Sequence, residues 1–281
     1  MLPTLLIVFG FLLFPFFYAL ILSFMNYNLT NPAANALVGL KNYIKLLSDA
    51  YFISSVGRTI LFSVSSAIFQ IILGTAIALA LDQKFHLQGF MRGLIILPWA
   101  LPTVVNGIMW KWIYNGDYGA LNALLTQLGI LKEYKVWLVD PVWAMGLVIF
   151  ANVWKEAPFI AIMVLAALQG IPPELYEAGK VDGASSWQNL WQITLPLLKP
   201  VLMVCGLLEI IWGFQTFDLI YIVTNGGPYN STELVSYRIY LQTFKFFQFG
   251  YGSAMAYLVS LVIFIPAFFY IRSAYKNIVQ Y

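Results

Sequence analysis

Two long apolar runs flank a polar segment that reads Glu177-Ala178-Gly179-Lys180-Val181-Asp182-Gly183, and nine residues later the chain reads Ile193-Thr194-Leu195-Pro196. Ionisable side chains cost free energy inside a bilayer, so this segment is predicted to lie at a water face. A polar, helix-forming loop at that face is suited to binding a soluble partner. We therefore interpret the chain as the membrane half of an assembly whose energy source is another polypeptide.

The composition is typical of an integral membrane protein. Of the 281 residues, 61% are hydrophobic and only 10% are charged, whereas about one quarter of the residues in a soluble domain are charged. Such a chain cannot cover a water-facing surface. The basic residues are scattered, so they do not indicate nucleic-acid binding. The single cysteine, Cys205, excludes an intrachain disulfide and is interpreted as a small packing residue.

Six apolar runs are long enough for a helix to cross a hydrocarbon core of about 30 Å. They are residues 3–25, 59–81, 94–114, 142–168, 200–224 and 253–271. The strands of a β-barrel would be shorter and would alternate in polarity. We therefore predict an all-α integral membrane fold with six transmembrane helices in one domain, residues 1–281. The first run lacks a basic segment and a cleavage site, so we expect it to be a retained span.

Prolines interrupt several of the predicted spans. Pro98 and Pro102 lie in the third span and Pro158 lies in the fourth. A proline removes a backbone donor and tends to kink its helix. In lipid, a broken helix persists only where protein or a wet cavity satisfies the freed backbone groups. The polar neighbours of these three prolines favour a cavity, whereas Pro266 in the last span is interpreted as plain helix shaping.

Two connectors are predicted to be folded rather than flexible. In residues 26–58, four apolar side chains recur at helical spacing and indicate a short interfacial helix; they are Leu40, Tyr43, Ile44 and Leu47. Residues 225–252 open with the turn signal Asn225-Gly226-Gly227-Pro228 and continue with many aromatic residues. We expect this second connector to fold at the membrane surface.

The polar segment belongs to a longer stretch, residues 171–199, that is predicted to form two short helices around a bend. The signals are a helix start at Pro172-Pro173, acidic residues in the first turns at Glu174 and Glu177, a bend at Gly183, a cap at Ser185 or Ser186 and a return to the membrane at Pro196. This stretch therefore has local signals for an ordered loop.

The spacing in this stretch resembles the EAA loop of ABC-importer permeases. The shared pattern is Glu177-Ala178, four residues, Gly183, nine residues, and Ile193-x-Leu195-Pro196. Gly179 stands where the family more often has alanine, a change that lowers helix propensity by about 0.8–1 kcal/mol. Further segments are similar to carbohydrate-type permeases related to the larger membrane subunit of the maltose transporter. They are Val38-Gly39-Leu40-Lys41-Asn42-Tyr43, Leu97-Pro98-x-x-x-Pro102, Leu168-Gln169-x-Ile171-Pro172 and Phe217-Asp218-x-x-Tyr221-x-x-Thr224-x-Gly226-Gly227-Pro228.

The resemblance implies a coupling helix that docks in a groove of an ATP-binding subunit. The docking surface would comprise Glu177, Ala178, Gly179, Asp182 and Gly183. The chain has no G-x-x-x-x-G-K-[ST] phosphate-binding loop, so ATP hydrolysis is assigned to a separate protein and the chain is expected to be a transport subunit without a cofactor or a metal.

Partners and location follow from the same resemblance. The expected partners are a second homologous permease subunit, two ATP-binding subunits, an extracellular or periplasmic solute-binding protein, a carbohydrate-like substrate and membrane lipid. The expected location is the cytoplasmic (inner) membrane of a bacterium or archaeon, with cytoplasmic termini. The lysines and arginines of the connectors do not decide the orientation, because they slightly favour the opposite face.

A substrate pathway is predicted from polar and aromatic residues at membrane depth. Aromatic faces pack on the C–H surfaces of sugars, and a few convergent polar groups meet the hydroxyls. The candidates share helical spacing and are Trp99, Thr103, Asn152, Lys155, Glu156, Phe159, Trp212, Gln215, Thr216 and Asp218. Lys155 and Glu156 are more polar than the corresponding family residues, and they contact either the substrate or neighbouring helices. Trp99 and Trp212 could equally pack in the helix bundle.

Two alternatives stay open at this point. Lys155 would suit a glycerol-phosphate or another anionic solute. Glu156, Glu209 and Asp218 could carry protons in an ion-coupled secondary transporter, although the inverted repeats expected of such proteins are not visible. A membrane enzyme has no support, because His86 is the single histidine and no nucleophile–base pair accompanies it.

Overall fold

The computed structural model describes residues 8–278. These residues form two compact units, one comprising residues 8–60 and 233–278 and the other comprising residues 61–232. The predicted single domain, residues 1–281, stays a prediction. The part of residues 3–25 that precedes residue 8 lies outside the described residues.

Helices dominate both units. In chain order they are α1 (Phe14–Ser23), α2 (Lys41–Leu47), α3 (Ala50–Asp82), α4 (Gln88–Ile95), α5 (Leu97–Ala100), α6 (Thr103–Ile113), α7 (Ala120–Gln127), α8 (Pro141–Leu168), α9 (Pro173–Val181), α10 (Ser186–Asn189), α11 (Leu195–Gln215), α12 (Asp218–Val223), α13 (Val235–Tyr240) and α14 (Phe249–Ile278). The π-helical turns are Val8–Leu13, Leu190–Thr194 and Leu241–Lys245, and the 3₁₀ turns are Pro32–Ala34 and Trp137–Val139. The two short strands are β1 (Met25–Asn26) and β2 (Ala36–Leu37).

In the first unit, α14 packs against α1 and α2. β1 and β2 pair antiparallel, with Met25 opposite Leu37. Asp49 accepts hydrogen bonds from two backbone N–H groups at the start of α3 and from the Tyr251 hydroxyl at 2.8 Å. Burial raises the pKa of Asp49, but these hydrogen bonds outweigh it and the pKa lies below its usual value. Asp49 therefore fixes the start of α3.

In the second unit, residues of α3, α8 and α11 share one apolar core. Its fully buried members are Ala78, Ile160, Val164, Leu198 and Cys205. Helices can approach this closely where a glycine faces its neighbour: a Cβ atom on Gly74 would lie 2.6 Å from the Ile160 Cβ and 2.9 Å from the Ala157 carbonyl oxygen. The burial of Cys205 agrees with its interpretation as a packing residue.

A buried asparagine organises the connector between α6 and α8. The amide of Asn122, on α7, donates to backbone carbonyls of Asn115, Gly116 and Lys135 and accepts from the Trp137 indole N–H at 2.8 Å. These bonds join both ends of the connector to α7. The connector is thus a folded segment, which its polar sequence alone did not indicate.

Among residues 8–278, some of the predicted spans are long continuous helices and others are bent or shorter. Three continuous helices are long and apolar enough to cross a membrane: α3, α8 and the helix Ser186–Gln215, which joins α10 to α11. A fourth crossing results if α4–α5 and α6, which are bent by 90°, count as one span. The apolar helices Phe9–Ser23 and Phe249–Ile265 are shorter. Several apolar spans are therefore present, and the count of six stays a prediction.

The prolines act differently from one another. Pro102 lies at the bend between α5 and α6, as predicted, whereas α8 runs through Pro158 without ending, and the kink expected there stays a prediction. Pro196 does not end a helix, because it lies inside the continuous helix Ser186–Gln215, just after the π-helical turn Leu190–Thr194. The fifth helix consequently begins at Ser186 and ends at Gln215, rather than covering residues 200–224.

Both connectors contain the local structure that was expected, and their position at the membrane surface stays a prediction. α2 is the predicted short helix in residues 26–58, although its buried apolar residue is Leu46 while Leu40, Ile44 and Leu47 are exposed. In the second connector, residues Val235–Tyr240 form α13, and the preceding turn is closed by the Thr232 hydroxyl, which donates to the Gly227 carbonyl at 2.7 Å.

Candidate functional site

A cavity of about 320 Å³ opens in the second unit. Its wall is formed by residues of α5, α6, α8, α11 and α12. They are Trp99, Thr103, Asn152, Glu156, Glu209, Trp212, Gly213, Gln215, Thr216, Phe217 and Asp218.

Two interruptions of helical backbone meet at this cavity. The first is the bend at Leu101-Pro102, which Trp99 and Thr103 flank. The second is the break after Gln215, where Thr216 has extended backbone angles and α12 restarts at Asp218. Irregular backbone at membrane depth is tolerated where it lines a cavity. The two breaks therefore mark the cavity as a built feature of the fold.

Three aromatic rings form one side of the site. Phe159 stacks on Trp99 with ring centroids 5.7 Å apart and meets Trp212 edge-on at 5.1 Å. Both tryptophans line the cavity, whereas Phe159 stands behind them and fixes their positions. The cavity wall thus combines flat aromatic faces with polar groups.

The predicted basic residue of the site is already paired. Lys155 is 8% exposed and does not line the cavity. Its Nζ donates to Glu156 Oε1 at 2.7 Å, and Glu156 reaches the cavity wall. The contact satisfies the buried ammonium group, as a charge at this depth requires.

Glu209 is the most deeply buried acid of the wall, with 3% of its surface exposed. The Gln70 amide, in the orientation that satisfies both of its neighbours, donates to Glu209 Oε2 at 3.0 Å and accepts from Asn152 Nδ2 at 3.1 Å. Glu209 Oε1 has no hydrogen-bond partner within the described part of the chain. Gln70 therefore holds Glu209 in position and leaves one carboxylate oxygen unbonded.

The structure brings most of the predicted pathway residues to one place. Eight of the ten line the cavity, and the other two, Lys155 and Phe159, support it from behind. Sequence reasoning did not assign Glu209, Gly213 or Phe217 to the pathway. The signal for Glu209 was its position three residues before Trp212, on the same helix face. Nothing in the sequence pointed to Gln70, which acts from another helix.

The polar segment forms a second candidate site. α9 ends at Val181, and Gly183 turns the chain with φ = +78°, a value that favours glycine. Ser185 then caps α10 by a capping box with Gln188. Of the predicted docking residues, Glu177, Ala178, Asp182 and Gly183 are exposed and Gly179 is half-buried. The bend and the cap therefore lie where the sequence predicted them.

Close packing explains why residue 179 is a glycine. A Cβ atom at this position would lie 2.7 Å from Asn189 Oδ1 and 3.3 Å from Ile193 Cδ1. The glycine therefore lets α9 pack closely against the start of the long helix that continues as α11. A groove of about 390 Å³ between these helices includes Ala178, Asp182 and Gly183 in its wall.

Comparison with known proteins gives a consistent result. A family profile described as "Binding-protein-dependent transport system inner membrane component" matches residues 70–279. The trehalose/maltose transport system permease protein MalF of Thermococcus litoralis is 37% identical over 265 residues, which cover 93% of this chain and 88% of that protein. The trehalose transport system permease protein SugA of Mycobacterium tuberculosis is 33% identical over 259 residues, covering 92% and 82%.

Solved structures show the same fold. A bacterial ABC transporter involved in the import of the acidic polysaccharide alginate contains a chain that superposes with a TM-score of 0.84 at 23% identity, covering 98% of this chain and 93% of that one. The chain in the complex of an alginate transporter with its pentasaccharide-bound periplasmic protein gives a TM-score of 0.81.

Proposed function

The chain belongs to the family of binding-protein-dependent transport system inner membrane components, and on this premise we propose that its cavity carries a sugar or sugar-like solute. The chain is a permease subunit of an ABC importer, a transport component rather than an enzyme. The observation that carries the sugar assignment is the cavity itself. It joins two tryptophan faces to convergent amide, hydroxyl and carboxylate groups, which is the chemistry that a sugar requires. Relatives named for trehalose and maltose transport support the same class.

The polar segment is the proposed docking surface for an ATP-binding subunit. Glu177, Ala178, Asp182 and Gly183 are exposed, and Gly179 keeps α9 close to the helix that lines the cavity. Because α10 continues through a π-helical turn into α11, a pull on the loop acts on a helix that carries Glu209 and Trp212. Closure of the ATP-binding subunits would then switch access to the cavity between the two membrane faces.

The proposed assembly has a second homologous permease subunit, two ATP-binding subunits and a solute-binding protein outside the membrane. Binding-protein dependence is part of the family description, and one structural neighbour is a complex with a periplasmic protein. In the proposed topology the chain crosses the inner membrane six times, with its termini and the loop of α9 in the cytoplasm.

The alternative of an anionic solute was based on Lys155, and this residue is not available to a ligand in the cavity. Lys155 is paired with Glu156 and does not line the cavity, whose wall includes three acidic side chains, Glu156, Glu209 and Asp218. A phosphate group would meet like charge there. The alginate importer is related to this chain in fold alone, so its acidic substrate does not change this assignment. Membership in the ABC-importer family replaces the alternative of an ion-coupled secondary transporter.

The docking proposal is tested by Gly183→Leu in the assembled transporter. A leucine at positive φ is strained by about 1–2 kcal/mol and adds bulk to the exposed bend. We expect the complex to insert and hydrolyse ATP while uptake falls about tenfold or more, as a loss of about 1.4 kcal/mol of docking free energy would produce. Uptake and ATP hydrolysis are measured on the same proteoliposomes.

The matched control is Gly129→Leu. Gly129 has φ = +71° and open space around it, like Gly183, but it follows α7, away from the loop. The control carries the same backbone strain and should leave uptake unchanged. Unchanged coupling in Gly183→Leu, or an equal loss in both variants, would contradict the assignment of the loop.

A further inference from the structure

The ionisable groups of the cavity wall are all acidic. Within the described residues they are Glu156, Glu209 and Asp218. The nearby cation, Lys155, donates to Glu156 from behind the wall. Lys155 thus pairs with Glu156, and Glu209 and Asp218 are the two carboxyl groups of the wall that this ion pair does not include.

Glu209 is not merely a surface acid in a cluster. Only 3% of its surface is exposed, and the residue lines the cavity. Its Oε1 lacks a hydrogen-bond partner among residues 8–278. A buried carboxylate oxygen without a donor costs free energy unless a ligand supplies one. Gln70 holds the other oxygen at 3.0 Å, so the carboxylate is fixed before a ligand arrives.

The aromatic wall adds a second preference for positive charge. The rings of Trp99 and Trp212 are 36–40% exposed and line the same cavity as Glu209. The face of a tryptophan attracts an ammonium group and also packs on the C–H face of a sugar ring. A single ligand with both features would satisfy the carboxylates and the rings together.

We propose that the cavity selects a sugar that carries a protonated amino group, with the ammonium donating to Glu209 and the sugar ring lying against Trp99 and Trp212. This inference rests on the proposed function and narrows its substrate class. A neutral sugar lacks the ammonium donor that Glu209 would accept from, and an acidic sugar would place a further carboxylate beside Glu209 and Asp218. Asp218, exposed at the start of α12, attracts the same ammonium from the open side.

The test measures binding to the assembled transporter in lipid nanodiscs without nucleotide. The probes are glucosamine, N-acetylglucosamine, glucose and glucuronate, each examined by equilibrium dialysis in neutral, low-salt buffer in which the amine is largely protonated. We expect glucosamine to bind about tenfold more tightly than glucose, because a charge-assisted hydrogen bond is stronger than a neutral one. N-acetylglucosamine should behave like glucose, and glucuronate should bind most weakly.

Two variants test which carboxyl groups of the cavity cause the preference for glucosamine over glucose. Glu209→Gln keeps the shape of the side chain and should abolish the advantage of glucosamine over glucose. Asp218→Asn changes an exposed side chain, so the transporter should assemble normally and lose part of the advantage; it decides the matter if Glu209→Gln does not assemble. The control Glu133→Gln removes an exposed carboxylate outside the cavity and should bind like the unchanged protein.

Equal affinity for glucosamine and glucose, binding of none of the probes, or a preference that survives both cavity variants would overturn the inference. Competition by Mg²⁺ or Na⁺ in place of the amine would also overturn it, because the carboxylates would then serve an inorganic cation. ATP-dependent uptake of a neutral sugar by the same preparation would leave the importer assignment intact. Failure of the amino-sugar inference can therefore be distinguished from failure of the proposed importer function.

Discussion

At the scale of single residues, Gly213 shows how packing and site depend on one position. It lies on α11, lines the cavity and faces α3, where an added Cβ would lie 2.7 Å from the Ser63 Cβ and 2.9 Å from its Cα. The Cα atom belongs to the backbone and cannot rotate away. Gly213 is therefore required for the close approach of the two helices that hold Gln70 and Glu209.

Gly213→Ala should lower the stability of the protein, because overpacking of this kind costs about 1–3 kcal/mol. The apparent unfolding temperature of the detergent-solubilised transporter measures the effect, and substrate binding should weaken in parallel because the Gln70–Glu209 contact shifts. Gly146→Ala is the control: Gly146 lies within α8 with open space around it, so alanine there should leave the unfolding temperature unchanged or slightly raised. A Gly213→Ala protein as stable as the control would show that α3 and α11 can separate freely.

At the scale of elements, the contact between α9 and α10 gives a reason for the unusual glycine in the loop. Helix propensity alone says that Gly179 weakens α9 by about 0.8–1 kcal/mol. The structure shows that Asn189 and Ile193 occupy the space that an alanine would need. Tertiary packing, rather than propensity, thus decides the residue at position 179.

Gly179→Ala should therefore impair the loop even though it restores the more common family residue. We expect weaker retention of the ATP-binding subunits, because α9 is pushed away from Asn189 by several tenths of an ångström. The double variant Gly179→Ala/Asn189→Ala removes the crowding amide and should recover retention, measured by co-purification. If the single variant retains these subunits as well as the unchanged chain does, the proposed role of this contact is wrong.

At the scale of the whole molecule, the open question is which loops face the cytoplasm. The connectors carry no decisive excess of basic residues, and the described helices include three clear spans with a fourth that is bent. The proposed six-span topology places residues 82–93 and 170–199 on one face and residues 225–252 on the other. Cys205 is buried and is the single cysteine of the chain, so introduced cysteines can report each face.

His86→Cys and Tyr229→Cys test this topology in intact cells. Both positions are exposed, Tyr229 at 91%. A membrane-impermeant maleimide should label Tyr229→Cys from outside, whereas His86→Cys should react only after the membrane is opened. The unchanged chain should stay unlabelled, since Cys205 is buried. Labelling of His86→Cys in intact cells would reverse the proposed orientation, and labelling of both would contradict the number of crossings.

Much of the fold was predictable because its determinants are local. Pro102 removes a donor and marks the bend, Gly183 permits a positive φ, and Ser185 supplies a cap oxygen, so each acts within a few residues of itself. The outcomes at Pro158 and Pro196 depend on the surrounding helix. α8 continues through Pro158, and Pro196 lies inside the continuous helix Ser186–Gln215, just after a π-helical turn. The kink expected at Pro158 and the return to the membrane expected at Pro196 stay predictions.

The sequence by itself determined a helical membrane chain, the ordered loop of α9 and the set of polar and aromatic residues from which a site could be built. Composition and periodicity carry this information because they depend on solvent and on neighbours along the chain. Only the tertiary structure decided that Lys155 forms an ion pair with Glu156 and that Gln70 holds Glu209 in the same cavity wall as two tryptophans. These contacts join helices that are distant in sequence, and the charge that the cavity presents depends on which of its ionisable groups are already paired.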